Sequence, residues 1–260
     1  MKLTAELRQS IIANPKYMNI GGLPSEYIPY EFKELFIRPF TGAELKLISR
    51  AAATQDIEPL LRAIDLTMDQ SVLDLTLGDF YYVMMWLRTY SYPKTPYIVE
   101  WECPEMVRRG VGADDKPGEI IPNDSDVDLK EDEYTVEACG TSNVETIHVT
   151  QLETLSLDED FVLPEGLDFP RVAILKDLEQ YLKDPDYQFI IPAAQWIPGA
   201  TLKDKLLALE ATEDLDLYSR ANEAAKTIIH GVKEHSTLTC RKCRSKHYYR
   251  VELEPLSFFL

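Results

Sequence analysis

The chain of 260 residues is long enough for one large domain or two small ones, and its 45% hydrophobic content is sufficient for a core. The 44 acidic residues outnumber the 27 basic ones and give a net charge of −17, which repels nucleic acid and anionic membrane surfaces. No apolar run approaches the ~20 residues that span a bilayer, and the polar start "MKLTAELRQS" lacks a signal-peptide core. We therefore expect a soluble, intracellular protein with no nucleic-acid partner, no membrane insertion and no small-molecule substrate.

Residues 1–40 are predicted to form an extended N-terminal arm. Pro24, Pro29 and Pro39 disfavour helix, both at their own positions and at the residue before each. A short strand is expected over "ELFIRPF". Such an arm either lies on its own domain or reaches a neighbouring protein.

The first helical region is predicted over residues 41–95. Thr41 and Glu44 form a capping-box pattern, which satisfies two backbone N–H groups at a helix start. The apolar residues that follow at helical spacing, and should face inward, are Leu45, Ile48 and Ala52.

Two more helices are predicted in this region. One spans about residues 57–66, and Thr76 with Asp79 gives the capping signal of the next. A buried stripe on that third helix is predicted at Phe80, Val83, Met84 and Leu87.

The apolar period changes to that of a strand over residues 96–155. "TPYIVEWEC" alternates and leads into Cys103, and "NVETIHVTQLETLSL" alternates again, with Val144 and Ile147 among its apolar positions. Between these strands, residues 105–137 are acidic and contain few apolar residues. We expect this insertion to be an exposed loop with at most a little local strand.

A second helical region is predicted over residues 156–235. Pro170 is placed as a first-turn proline, and Thr201 opens a further helix. A long amphipathic helix is expected over 215–230, with Gly231 as its C-terminal stop.

The cysteines supply the strongest chemical signal. The segment "TLTCRKCRSKHYYRVEL" in residues 236–260 reads as strand, CxxC turn, strand. When residues 105–137 are removed, the rest reads "IVEWECP" followed by "ACGTSNVETIHV", which is a CPxCG turn opened by an insertion. Loop-closure entropy grows slowly with length, so a hairpin tolerates such an insertion. The four candidate ligands of one structural zinc ion are Cys103, Cys139, Cys240 and Cys243.

The sequence therefore predicts an α+β fold, in which helical regions flank a small zinc-ribbon-like β module built from two distant hairpins. Four thiolates close a tetrahedron and leave no position for water or substrate, so the site would be structural. Two other interpretations are four free cysteines with a chance CxxC, and a redox dithiol, although no thioredoxin-like βαβ pattern surrounds the pair. His235 or His247 could also replace a cysteine ligand, whereas His148 and His247 are expected to be exposed strand residues.

Catalytic motifs are absent from the sequence. It contains no GxGxxG, P-loop, GxSxG or HExxH, and the histidines have no motif partners. We expect no enzyme, with an unrecognised active site as one alternative. A second alternative is a zinc-ribbon protein that binds nucleic acid or acts in transcription, because "CRKCRSKHYYR" is locally basic and aromatic.

A series of motifs follows in order along the chain: the "LPS" arm, "FIRPF", "LGDFYYVMMWLRTYSYPKTPYIVEWECP", the "ACG" half-turn, "CRKC" and the terminal "LEPLSFF". Together these motifs resemble the baseplate hub and hub-assembly family of T-even-type contractile-tailed phages. The resemblance implies a structural or assembly protein without catalysis, located in the host cytoplasm during assembly or in the virion tail baseplate. Its expected partners are other baseplate, hub or tail proteins.

The chain ends offer a hypothesis about docking. Apolar residues near both ends are expected to be exposed and to bind neighbouring subunits, through the arm at 19–40 and the terminal "PLSFFL". The alternative is that these residues pack on the protein's own core. The residues concerned are Tyr27, Tyr30, Phe32, Phe258, Phe259 and Leu260.

Overall fold

The structure is a computed structural model that describes residues 14–92, 97–111, 117–122, 134–147, 153–212, 214–233, 235–250, 254–256 and 258–259. The α-helices are α1 Gly42–Thr54, α2 Glu58–Asp65, α3 Leu77–Ser91, α4 Leu175–Leu182, α5 Pro185–Gln188, α6 Ile191–Ala194, α7 Leu202–Ala211 and α8 Leu215–Thr227. The strands are β1 Met18–Asn19, β2 Phe36–Ile37, β3 Tyr97–Glu102, β4 Met106–Val111, β5 Pro117–Ile121, β6 Tyr134–Ala138, β7 Ser142–Ile147, β8 Thr154–Leu155, β9 Gly231–Val232, β10 His235–Thr239 and β11 Lys246–Arg250. Helices and small antiparallel sheets together confirm the α+β class. Within the described parts of the chain, no helix combines the length and apolarity required to cross a bilayer.

The chain divides into two compact units. The first contains Met1–Pro93, Glu153–Lys233 and Leu253–Leu260, and the second contains Lys94–Leu152 and Glu234–Glu252. The predicted segment 236–260, a hairpin followed by a C-terminal tail, spans both units: the hairpin belongs to the second unit and Leu253–Leu260 to the first. Each unit is assembled from segments that are separate in the sequence, so the other predicted segments are parts of these units.

Residues 14–40, the described part of the N-terminal arm, pack within the first unit. β1 pairs antiparallel with β2, and β2 lies within "ELFIRPF", where a strand was predicted. Leu23, Leu35 and Ile37 are at most 1% exposed, so the arm contributes to the core of this unit. Burial of these side chains favours the folded arm by roughly 1.5–3 kcal/mol each.

The expectation that the aromatic residues near both chain ends are exposed is wrong for most of them. Tyr27 and Tyr30 are buried, Phe32 is half-buried, and the Phe258 and Phe259 side chains are buried as well. The Phe259 ring packs edge-on against Phe40, with ring centroids 5.3 Å apart. Aromatic side chains have a large apolar area, so burying them in an available core is more favourable than leaving them in water. Leu260 lies outside the described residues.

The first three helices follow their sequence signals closely. Thr41 and Glu44 form the predicted capping box of α1, and the Thr76 hydroxyl accepts a hydrogen bond from the Asp79 N–H at the start of α3. The predicted stripe of α3 is fully buried. On α1, however, Leu45 faces solvent and Ala51 is buried.

An ion pair anchors the start of α1. The Glu44 carboxylate, whose side chain is 5% exposed, accepts two hydrogen bonds from the Arg38 guanidinium, at 3.0 and 3.2 Å. Burial alone would raise the pKa of Glu44, but hydrogen bonds from Arg38 and from Thr41 lower it to about 2. The ionised form of Glu44 is therefore stabilised by folding.

Glu44→Gln should lower the free energy of unfolding by about 3 kcal/mol at neutral pH. Because the folded pKa is depressed, this contribution is present above the unfolded pKa of about 4.3 and is lost as pH falls through about 2. Urea unfolding of wild type and variant should show a constant gap from about pH 7 to 5 that shrinks to about half by pH 3. A gap independent of pH would show that the carboxylate charge is not the stabilising feature.

The last long helix ends earlier than predicted. α8 stops at Thr227, and Gly231 opens strand β9 with a φ of +118°. Gly231 packs against Gly78 at the start of α3, where a Cβ on Gly231 would lie 2.7 Å from the Gly78 Cα. This backbone contact requires glycine on both sides and diverts the chain from helix into strand.

Pro170 does not begin a helix. A 3₁₀ turn at Val172–Ile174 precedes α4, which starts at Leu175. The prediction that Thr201 opens a helix is confirmed at the start of α7, where Thr201 and Asp204 form a capping box. Around these elements, Phe169 packs on Trp196 with ring centroids 5.7 Å apart, inside the apolar core of the second helical region.

The second unit is built from antiparallel strands. β3 pairs with β7 from Tyr97↔Ile147 to Glu102↔Ser142, and β10 pairs with β11. The insertion is more ordered than expected, because a three-stranded sheet in the order β5-β4-β6 occupies its described residues. Val107 on β4 is 1% exposed and packs on the cysteines, so this sheet uses a core that the rest of the unit supplies.

Candidate metal centre

Each cysteine lies beside the end of a strand. Cys103 follows β3, Cys139 lies between β6 and β7, and Cys240 and Cys243 lie in the turn between β10 and β11. All four side chains are buried, with at most 3% exposure. The two hairpins that were predicted from distant parts of the sequence therefore meet at one point.

The sulfur atoms form a compact group. All four Sγ atoms lie within 4.8 Å of one another, with 3.6 Å between Cys103 and Cys243 and 3.8 Å between Cys139 and Cys240. A tetrahedral ion with bonds of ~2.3 Å to sulfur requires sulfur atoms about 3.8 Å apart. A disulfide would require about 2.05 Å, and all four cysteines are free. The spacing suits a bound metal ion.

The insertion does not disturb the first turn. Cys139 donates its N–H to the Glu105 carbonyl at 2.7 Å, and Gly140 donates to the Cys103 carbonyl at 3.1 Å. These bonds join the two ends of the insertion, so Cys103 and Cys139 lie close together although 35 residues separate them in the sequence. Gly140 has a φ of +56°, a conformation that glycine adopts without strain.

Backbone N–H groups stabilise the thiolate form of Cys240 in the turn between β10 and β11. Burial would raise the pKa of Cys240, but hydrogen bonds from the N–H groups of Cys243 and Lys242, and from the Asn143 side chain, lower it to about 6. Burial raises the pKa of Cys103 and of Cys243 above the usual range. A bound cation must therefore displace protons from these thiols, so metal affinity should fall as pH is lowered.

Asn143 is the supporting residue that sequence reasoning missed. Its amide donates to the Thr141 carbonyl at 2.8 Å and lies 3.7 Å from the Cys240 sulfur, while its Oδ1 accepts the Arg241 N–H at 3.0 Å. Asn143 joins the two hairpins beside the thiolates. The strand was predicted with Val144 as an apolar position, but Val144 is 60% exposed and Asn143 faces inward. Asn143 is polar and is held inward by hydrogen bonds to sulfur and backbone, so the periodicity of apolar residues does not predict its position.

Asn143→Ala should weaken metal binding by about 10- to 100-fold, because loss of an outer hydrogen-bond partner of a metal site has effects of that size. Competition between the protein and a chromophoric chelator for added zinc would measure the change. Val144→Ala, one residue further along the same strand and exposed, is the matched control and should bind the metal like wild type. Equal affinities for the two variants would rule out a supporting role for Asn143.

The histidines take different positions. His247, which was expected to be exposed, is half-buried: its Nε2 lies 3.3 Å from the Cys103 sulfur, and its ring packs on Trp101 with centroids 4.9 Å apart. His230 belongs to the first unit and bonds to the Thr76 hydroxyl at 2.8 Å. His148 lies outside the described residues, and the His235 side chain is not described.

The arrangement can hold one cation with four sulfur ligands. All four ligands are buried thiols that can close a tetrahedron, and such a centre supports structure rather than reaction at the metal. The positive side chains of Arg241 and Lys242 are exposed beside it and offset part of the thiolate charge. The chain was compared with known proteins, and no family model, no curated protein and no solved structure matches it.

Proposed function

We propose that the chain is a structural or assembly protein of a contractile-tail baseplate hub, in which one zinc ion joins the two hairpins of a zinc-ribbon-like module. The proposed metal site is supported by the group of four buried sulfur atoms within 4.8 Å of one another. The baseplate part is supported by the resemblance of the arm, the α3 segment and the cysteine turns to the hub family. The protein would act by docking neighbouring baseplate subunits, without catalysis.

Zinc is the metal we propose for this centre. Four thiolates in a tetrahedron suit zinc or iron. Zinc has no redox chemistry and is the common ion of closed ribbon sites in structural roles. The ion would connect residues 97–147 to residues 235–250, which are far apart in the sequence.

The proposed location follows from the proposed role. The chain would be present in the host cytoplasm while tails assemble, and in the virion baseplate if it is retained. Its strongly acidic composition keeps it soluble at high concentration and disfavours non-specific nucleic-acid binding.

Co-expression tests this role. A tagged chain produced together with the tail proteins of the same phage should purify in a complex with hub or baseplate subunits. Cys240→Ser should reduce the yield of that complex, because the module would no longer be closed by metal. Purification of the zinc-loaded chain alone, without any tail protein, would contradict the docking role.

A further inference from the structure

The C-terminal hairpin differs in charge from the rest of the chain. Residues 235–250 contain five basic residues and no acidic residue, whereas the whole chain carries −17. Removing +5 from −17 leaves −22 on all other residues. A zinc ion with four thiolates has a charge of about −2, so about +3 is left on the hairpin after the centre is neutralised. Neutralisation of the metal site therefore explains only part of this basic character.

The two faces of this hairpin have different roles. Leu238 is 2% exposed and its cross-strand partner His247 packs beside the cysteines, so this face belongs to the core of the unit. The neighbouring pairs Thr237↔Tyr248 and Thr239↔Lys246 project to the other side, because side chains alternate along a strand. All four of those residues are exposed.

This outer face is well suited to contact a partner. The Tyr248 side chain is 83% exposed, which leaves a large aromatic surface in water beside Lys246 on the same strand. Lys242 is exposed at the tip of the same hairpin. Within the described residues the hairpin is a two-stranded sheet, so no third strand covers either edge. Tyrosine is enriched at protein–protein interfaces, because its ring offers a large apolar area and its hydroxyl a hydrogen bond.

We propose that this outer face docks a short acidic segment of a partner protein, with Lys242 and Lys246 meeting carboxylates and Tyr248 packing on an apolar side chain. The inference rests on the proposed docking function and names the surface and the chemistry of the partner. Strands of five residues are about 17 Å long, so an extended segment of about five residues matches the face.

The charge of the same unit favours a short partner over nucleic acid. Residues 94–152 contain 14 acidic and five basic residues, a net of −9. A polyanion long enough to extend beyond the hairpin would be repelled by that charge. A short acidic segment would contact the basic face alone, and its binding would weaken with salt.

The test uses the zinc-loaded full chain and a fluorescent synthetic peptide of about eight residues, mostly Glu and Asp with one Leu and one Phe. Lys242→Glu with Lys246→Glu should weaken peptide binding by at least about tenfold in fluorescence anisotropy. Lys246→Glu with Tyr248→Ser leaves the cysteine turn untouched and should also weaken it by at least about fivefold. Lys226→Glu on α8 is the control: it makes the same charge change at an exposed position and should alter affinity less than about twofold.

Three results would overturn the inference. They are absence of peptide binding by wild type, equal weakening by Lys226→Glu, and tighter binding of an oligothymidylate than of the peptide, which would assign the face to nucleic acid. Zinc content and co-purification with hub subunits are measured on the same proteins. If Lys246→Glu with Tyr248→Ser still co-purifies fully, the docking function stands and this face is not its contact. If wild type binds the peptide but no tail protein, the proposed function fails instead.

Discussion

Replacing Cys240 with serine should remove stoichiometric zinc and unfold the second unit. Among the described residues of that unit, the cluster around the four cysteines contains Val107, with Trp101 and Ile120 packed against it. Val99, Ile147 and Leu238 are also buried there. Such a small core supplies little stabilisation on its own, whereas structural zinc binding contributes roughly 10–16 kcal/mol in small zinc domains. Folding of this unit should therefore depend on the metal.

Hydrogen exchange read by mass spectrometry would show this loss strand by strand. In Cys240→Ser, amides of β3, β7 and β10 should lose protection, and zinc content should fall well below about one ion per chain. Helices α1 to α3 should keep theirs, because the first unit has its own buried residues. Thr239→Ser, at the exposed neighbouring position, is the matched control and should keep both zinc and protection. Retained protection in Cys240→Ser would mean that the hairpins are held together without the ion.

Asp79→Ala should destabilise the first unit by roughly 3–5 kcal/mol, because it leaves several buried donors without a partner. Asp79 is fully buried, and its carboxylate accepts from the Tyr30 hydroxyl at 2.5 Å, the Thr76 hydroxyl at 3.0 Å and the Ser25 N–H at 3.0 Å. These bonds tie the N-terminal arm to the start of α3. Burial, together with the Asp79 charge and hydrogen bond, raises the pKa of Tyr30 well above its usual value, so Tyr30 stays a neutral donor.

Chemical unfolding followed by far-UV circular dichroism measures this change. Asp74→Ala removes an exposed carboxylate from the turn just before α3 and should change the free energy of unfolding by less than about 0.5 kcal/mol. Tyr30→Phe should give an intermediate loss: it removes one donor to Asp79 and the acceptor of the buried Thr76 N–H, while the Ser25 N–H and the Thr76 hydroxyl stay bonded to Asp79. If Asp79→Ala behaves like Asp74→Ala, the arm is held by apolar burial alone.

Much of the fold follows from local sequence signals. Capping residues such as Thr41 and Thr201 determine helix starts because they satisfy backbone N–H groups within one turn. The pairing of β3 with β7 was predictable because two cysteine turns must be completed by hairpins. The four cysteines converge as the turn chemistry indicated, although the metal itself stays a prediction.

Other features depended on long-range packing that a local pattern does not record. The strands in 105–137 form although that segment has few apolar residues, because Val107 is buried against sulfur atoms contributed by other segments. The aromatic tail is buried because Phe40, more than 200 residues away, offers it a partner. Asn143 is inward because the distant hairpin supplies two of its hydrogen-bond partners, the Cys240 sulfur and the Arg241 N–H.

The central prediction is one zinc ion bound by the sulfur atoms of the four cysteines. X-ray absorption at the zinc edge, recorded on the purified chain, should show about one zinc per protein with four sulfur neighbours at about 2.3 Å. Nitrogen or oxygen neighbours at about 2.0–2.1 Å would remove at least one cysteine from the ligand set. A protein that folds with no bound metal, and with all four thiols open to alkylation, would contradict the zinc-joined module directly.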